Sequence, residues 1–143
     1  WRIGMAVGNA EIIEALRVIK SNIDSGVPQA IQQMGIAAME TPDSELVDRN
    51  EIYRRRRDLV VGALRALGLT VEHPRASLYV WARVPEGYTS AEFSEKLLEE
   101  RDVLVSPGSG YGKYGEGYIR LSLTIADNDL DRALDRLSTW RVL

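Results

Sequence analysis

Residues 107–124 read Pro-Gly-Ser-Gly-Tyr-Gly-Lys-Tyr-Gly-Glu-Gly-Tyr-Ile-Arg-Leu-Ser-Leu-Thr, a glycine-rich loop running straight into an alternating strand. Five glycines in the first eleven residues permit positive φ and close approach of one backbone to another. Nucleotide-binding loops of the dinucleotide and P-loop kinds open a helix, whereas this one opens a strand, so both are excluded. In the strand, Ile119, Leu121 and Leu123 share one face, and Tyr118, Arg120 and Ser122 share the other. If the apolar trio packs on helices, Arg120 faces outward beside a tyrosine and a hydroxyl. A planar guanidinium there suits a two-pronged grip on a carboxylate. On the strand pattern alone, a solvated strand arginine remains the ordinary alternative.

Working outward from this stretch, residues 69–72 and 78–84 read as strands rich in Val, Leu, Tyr and Trp, and Pro85-Glu86-Gly87 makes a turn between the second of these strands and a helix. That helix is expected to be capped by Ser90, with Phe93, Leu97 and Leu98 on its apolar side. A strand at 103–106, the strand at 118–124 and a terminal helix at 127–140 complete a β-β-α-β-β-α order. The expected class is therefore α+β, a small mixed sheet with helices on one face. Tyr79 and Trp81 are expected in its core. His73, before Pro74, is assigned no role.

Upstream, Thr41-Pro42-Asp43 is a helix start with a hydroxyl cap, proline in the first turn and an acid at the positive dipole end. The helix should run over 42–67 until Gly68 stops it. At 1.5 Å per residue it would be roughly 39 Å long, enough to connect two bodies. Arg54, Arg55, Arg56 and Arg57 lie on it and read as a solvated face with some ion pairs. Residues 2–8 suggest a short strand containing Arg2, which either binds a phosphate or is solvated. Two helices follow, one capped by Asn9 with Ile12, Ile13, Leu16, Ile19 and Ile23 on one side, the other starting near Pro28 with a buried face of Ile31, Met34, Ala37 and Ala38. The chain opens on Trp1 as if a strand were already in progress, and a boundary within a larger protein is expected there.

With 143 residues, 45% apolar and 27% charged, the profile is that of one domain, or one and a fraction. A net charge of -3 gives no electrostatic footprint for nucleic acid or an anionic membrane. No cysteine and one histidine exclude disulfides, thiolate chemistry and most metal or triad arrangements. No run approaches a membrane span and no secretory leader is visible, so the cytoplasm is the expected location. Chemistry must rest on Arg, Lys, Tyr, Ser or carboxylates, or on a bound cofactor.

The runs Trp1-Arg-Ile-Gly, Asp24-Ser-Gly-Val-Pro-Gln, Leu78-Tyr-Val-Trp, and the loop and strand of 107–122 together resemble the class I/II, fold-type I aminotransferases that use pyridoxal 5'-phosphate. The resemblance covers essentially the whole chain. Within that family it is most similar to the LL-diaminopimelate aminotransferases, through 20–33 and the Tyr-Val-Trp-Ala-Arg-Val-Pro of 79–85. Ala76 departs from the glycine many relatives carry before that strand. The resemblance implies that Arg2 contacts the cofactor phosphate, that Arg120 holds the substrate carboxylate, and that Ser25 approaches the active site of the neighbouring subunit in a homodimer. It implies that the cofactor-holding lysine lies upstream of these residues, so that no catalytic residue falls within them and the fragment alone is inactive. It further implies that 1–41 finish the large cofactor domain, that 42–67 connect, and that 68–143 form the small domain closing on amino-acid and 2-oxo-acid substrates. An aminotransferase-like ligand-sensing domain of a transcription regulator is the alternative, as is a small packing and interaction unit without activity. A Ser-Lys pair just upstream would mark an enzyme and a basic winged helix a regulator.

Overall fold

The computed structural model describes residues 2–142, which divide into two units, one ending at Val47 and the other beginning at Asp48. The first unit holds α1 (Ala10–Ile23), α2 (Gln29–Met39) and the first turn of α3 (Asp43–Ala66). Asn9 caps α1 as expected, its Oδ1 accepting from the N–H groups of Glu11 at 2.9 Å and Ile12 at 3.3 Å. The two helices bury no residue at all. The apolar faces expected for them exist in sequence but stay open, Ile12, Ile19 and Ile23 among the exposed side chains. A unit this small has too little chain to enclose them. Residues 2–8 form no strand. All strands among the described residues lie between Thr70 and Ser122, and without a neighbour to pair with, an extended run has no ladder to join.

The long helix expected over 42–67 is present as α3, 24 uninterrupted residues. Asp43 and Glu45 sit in its first turn and Arg65 in its last, each complementing the dipole. It stops at Gly68, where φ is 83° and the N–H groups of Gly68 and Leu69 turn back to the carbonyls of Arg65 and Leu64 at 2.9 and 3.1 Å. Val60, Val61 and Leu64 face the core. The arginine run is more than a solvated face. Arg54 pairs with Glu51 and Asp58, but Arg56 is largely buried, donating to Asp127 at 2.8 Å and to the Leu123 carbonyl at 2.9 Å. Arg55 reaches the same Asp127, and Arg57 reaches Asp58 and the Pro74 carbonyl. These contacts tie the helix to the end of the sheet. His73, without a predicted role, hydrogen-bonds Asp58 at 3.1 Å.

The second unit continues with β1 (Thr70–Val71), β2 (Tyr79–Arg83), α4 (Ser90–Arg101), β3 (Ser106–Pro107), β4 (Tyr118–Ser122) and α5 (Asp127–Ser138). The sheet order is β1-β2-β4-β3, and every ladder is antiparallel. The expected mixed sheet is thus corrected. β3 follows α4 back into the sheet beside β4, and the loop after it reverses the chain so that the two run in opposite directions. Both edge strands are only two residues long, and one contains Pro107, which has no N–H to donate.

Alternation decides which face is covered. Val80 and Ala82 of β2 and Ile119 of β4 are fully buried against Val60, Val61 and Leu64 of α3, Phe93 and Leu97 of α4, and Leu130 and Leu137 of α5. Trp140, just past α5, is also buried, with its indole N–H donating to Glu100 at 2.8 Å. Among the described residues of the second unit, α3, α4 and α5 all pack on this one face. Tyr79 and Trp81, expected in the core, lie on the opposite face at 36% and 37% exposure. Their neighbours Val80 and Ala82 occupy the core instead, because strand parity, and not side-chain size, assigns the faces.

Candidate functional site: an arginine clamped on the open sheet face

The antiparallel register sets Arg120 directly across from Trp81, with Tyr79 opposite Ser122 and Arg83 opposite Tyr118. Arg120 therefore faces outward beside a tyrosine and a hydroxyl, as its strand parity predicts. Its guanidinium lies 3.9 Å from the centroid of the Tyr79 ring and 4.1 Å from that of Tyr111. Trp81 meets Tyr111 edge-on at 5.4 Å and Tyr118 at 6.5 Å. The result is a band of aromatic rings around one cation. Among the described residues, no carboxylate is in ion-pair contact with Arg120. Stacking against ring faces leaves the in-plane N–H groups of a guanidinium for a ligand.

Tyr111 comes from the glycine-rich loop, which folds into two 3₁₀ turns, Gly108–Tyr111 and Lys113–Gly115. The turns close on each other through the backbones of Gly108 and Gly115. A Cβ on Gly108 would stand 1.9 Å from the Gly115 carbonyl oxygen, and one on Gly115 would stand 2.0 Å from that of Gly108. Glycine is required at both by this close approach. The loop is also fastened to α4. Glu116 accepts from the Ser90 N–H at 2.8 Å and from its hydroxyl at 2.9 Å, while the Ser109 N–H donates to Ser90 Oγ at 3.2 Å. Ser90 is completely buried by these contacts. It does not cap α4 as expected. Thr89 does, in a reciprocal box with Glu92, because the Ser90 hydroxyl is turned toward the loop.

The N–H of Ser90, then that of Gly117 and the Ser90 hydroxyl, hold the Glu116 carboxyl below the ordinary carboxylate range. A lowered pKa means that the fold favours the charged form. Its contribution is complete above the unfolded value, about 4.3, and is lost as pH falls through the lowered folded value. Glu116→Gln is accordingly expected to reduce the melting temperature at neutral pH, with the gap to wild type closing as acid protonates the wild-type carboxyl. A gap that stays constant across that range would show that the charge plays no part.

The structure places the three sequence-predicted site residues as follows. Arg120 is on β4 of the second unit, half-buried among the rings. Arg2 and Ser25 belong to the first unit, and both are exposed. Arg2 has φ of 58°, and Ser25 lies in the turn after α1 where the Gly26 N–H donates to Asp24 at 2.7 Å. Trp1, next to Arg2 in the sequence run, lies outside the described residues. Sequence reasoning missed Tyr79, Trp81 and Tyr111. The first two are marked by their period-two spacing against Val80 and Ala82, whereas nothing in the loop sequence announces that Tyr111 folds back over Arg120. Among the described residues, no cluster of metal-ligating side chains occurs, and no helix is long and apolar enough to cross a membrane.

Arg120 thus lies against two tyrosine rings on the sheet face opposite the core, with no carboxylate of the described residues paired to it. The chain belongs to the aminotransferase class I and II family, whose family model matches residues 1–137. It is 55% identical over 141 residues to an LL-diaminopimelate aminotransferase of Dehalococcoides mccartyi, covering 99% of this chain and 36% of that one. Among solved structures it is similar to a probable N-succinyldiaminopimelate aminotransferase of Thermus thermophilus, with a TM-score of 0.81 and 32% identity over 92% of this chain and 35% of the other. An aminotransferase of Staphylococcus aureus gives a TM-score of 0.80 at 34% identity, again over 92% of this chain and 35% of the other. The chain thus spans about a third of the length of the curated relatives it matches.

Proposed function

We propose that these residues are the C-terminal part of a pyridoxal-phosphate-dependent aminotransferase that moves an amino group between an amino acid and a 2-oxo acid, with Arg120 holding the substrate's α-carboxylate. The observation that carries this reading is the Arg120 guanidinium held against the Tyr79 and Tyr111 rings, with no carboxylate of the described residues paired to it. A fork fixed in this way grips a carboxylate through two parallel N–H···O bonds. That grip sets the direction of the substrate's Cα–H bond, so Arg120 acts by positioning and not by making bonds.

The donor set on this chain fits the phosphate end of pyridoxal 5'-phosphate. Arg2 offers an exposed guanidinium and Ser25 an exposed hydroxyl, groups suited to phosphate oxygens. When bound, the cofactor supplies an electron sink for the bonds at the substrate's Cα. In this reading, residues 1–41 complete the large cofactor domain, 42–67 connect, and 68–143 are the small domain that closes on substrate. The parent works as a homodimer in the cytoplasm. The names of its relatives make LL-diaminopimelate the proposed amino donor and lysine biosynthesis the setting.

The test is a transamination assay of the full-length protein with LL-diaminopimelate and a 2-oxo acid, alongside aspartate, alanine and methionine. Turnover with LL-diaminopimelate is expected, and inactivity with all four donors would overturn the proposal. The 143 residues by themselves, about a third of such an enzyme, should neither bind the cofactor tightly nor transaminate. Mixing them with pyridoxal phosphate should leave its visible spectrum that of the free compound. A band characteristic of protein-bound cofactor would contradict this.

A further inference from the structure

Two tyrosine rings that arrive from different parts of the fold lie against the Arg120 guanidinium, their centroids 3.9 and 4.1 Å from its central carbon. Tyr79 comes from β2, the neighbouring strand, and Tyr111 from the first 3₁₀ turn of the glycine-rich loop. Trp81, paired with Arg120 across the ladder, supports Tyr111 edge-on at 5.4 Å. A guanidinium on an open strand otherwise samples many rotamers, and each one aims its N–H fork in a different direction. Two rings in contact with the guanidinium narrow that sampling. The Glu116–Ser90 hydrogen bonds and the Gly108–Gly115 contact in turn fix where Tyr111 sits.

From this geometry we infer that Tyr111, together with Tyr79, is a positioning residue for carboxylate recognition, limiting the directions in which Arg120 presents its fork. This rests on the proposed role of Arg120. The tyrosine hydroxyls are not required, because the contact is made through the ring face. The aromatic ring is required. Leucine keeps bulk at the position but removes the quadrupole that attracts a cation.

The experiment uses the full-length enzyme with LL-diaminopimelate as donor at a saturating 2-oxo acid, comparing Tyr111→Leu, Tyr111→Phe and Tyr79→Leu with wild type. Tyr111→Leu should raise KM for the donor about 5- to 30-fold with a smaller fall in kcat, as expected when an oriented binding group becomes mobile. Tyr111→Phe should stay within about 2-fold of wild type, since the ring face is kept. Tyr79→Leu carries the same test at the second ring and keeps the inference falsifiable if Tyr111→Leu does not fold. Each leucine change is then repeated in an Arg120→Lys background, where it should have little further effect because the fork it orients is already gone.

Wild-type KM in both leucine variants would overturn the inference. So would equal losses with and without the Arg120 guanidinium, since the rings would then act through the fold alone. An Arg120→Lys enzyme of wild-type activity would instead sink the underlying role of Arg120, so the two failures are distinguishable.

Discussion

Arg120→Lys in the full-length enzyme should lower kcat/KM for the amino-acid substrate about 30- to 1000-fold, corresponding to about 2–4 kcal/mol of lost transition-state stabilisation. Charge is retained in this substitution, so the loss isolates geometry. A lysine ammonium is a point donor on a flexible stem and cannot make two parallel bonds to one carboxylate. It also lacks the flat guanidinium that meets Tyr79 and Tyr111, which leaves two aromatic rings without their partner. Cofactor binding should change little, because Arg120 is assigned to substrate and not to the cofactor phosphate. The cofactor's visible absorbance serves as the control for folding and loading. Near-wild-type kcat/KM would reduce Arg120 to an ordinary strand arginine.

The second large effect is expected at a glycine. Gly108→Ala places a methyl group 1.9 Å from the Gly115 carbonyl oxygen and 2.6 Å from that of Tyr118. Both obstacles are backbone, so no side chain can swing away to make room. The 3₁₀ turns must separate, and Tyr111 moves with them. A destabilisation on the order of 3 kcal/mol is expected, at the severe end of overpacking. For a unit of this size, that corresponds to a melting temperature lower by about 10–20 °C. Gly110→Ala is the internal control, since a Cβ there meets nothing within 4 Å. Thermal melts of both variants beside wild type provide the measurement. Equal stability of the two alanine variants would show that the Gly108–Gly115 contact is dispensable.

Much of the second unit is legible in the residues alone. The stop of α3 at Gly68 follows from a glycine at the end of a helical pattern, and the outward face of Arg120 follows from parity in 118–123. Parity also gives Tyr79 and Trp81 correctly once Val80 and Ala82 are recognised as the inward pair. Aromatic size points the wrong way here, because the ordinary preference of large rings for the core does not hold for a sheet covered on one side only. Other features depend on partners far along the chain. Whether Thr89 or Ser90 caps α4 is settled by Glu116, 26 residues beyond Ser90, and the need for glycine at 108 is settled by Gly115. In the first unit the periodicity of α1 is legible, but its burial is not. A pattern shows which face a helix offers, and only a neighbour can cover it. For residues 2–8 the same limit applies to hydrogen bonds, since a strand is completed by its pair.

The brevity of β1 and β3 has a further consequence for a sheet that leaves one face uncovered. Long exposed edges invite strand addition from another molecule, the first step toward polymerisation. Here each rim offers two residues, and Pro107 withholds a donor on one of them. Within the described residues, the rims therefore give a second chain almost nothing to copy.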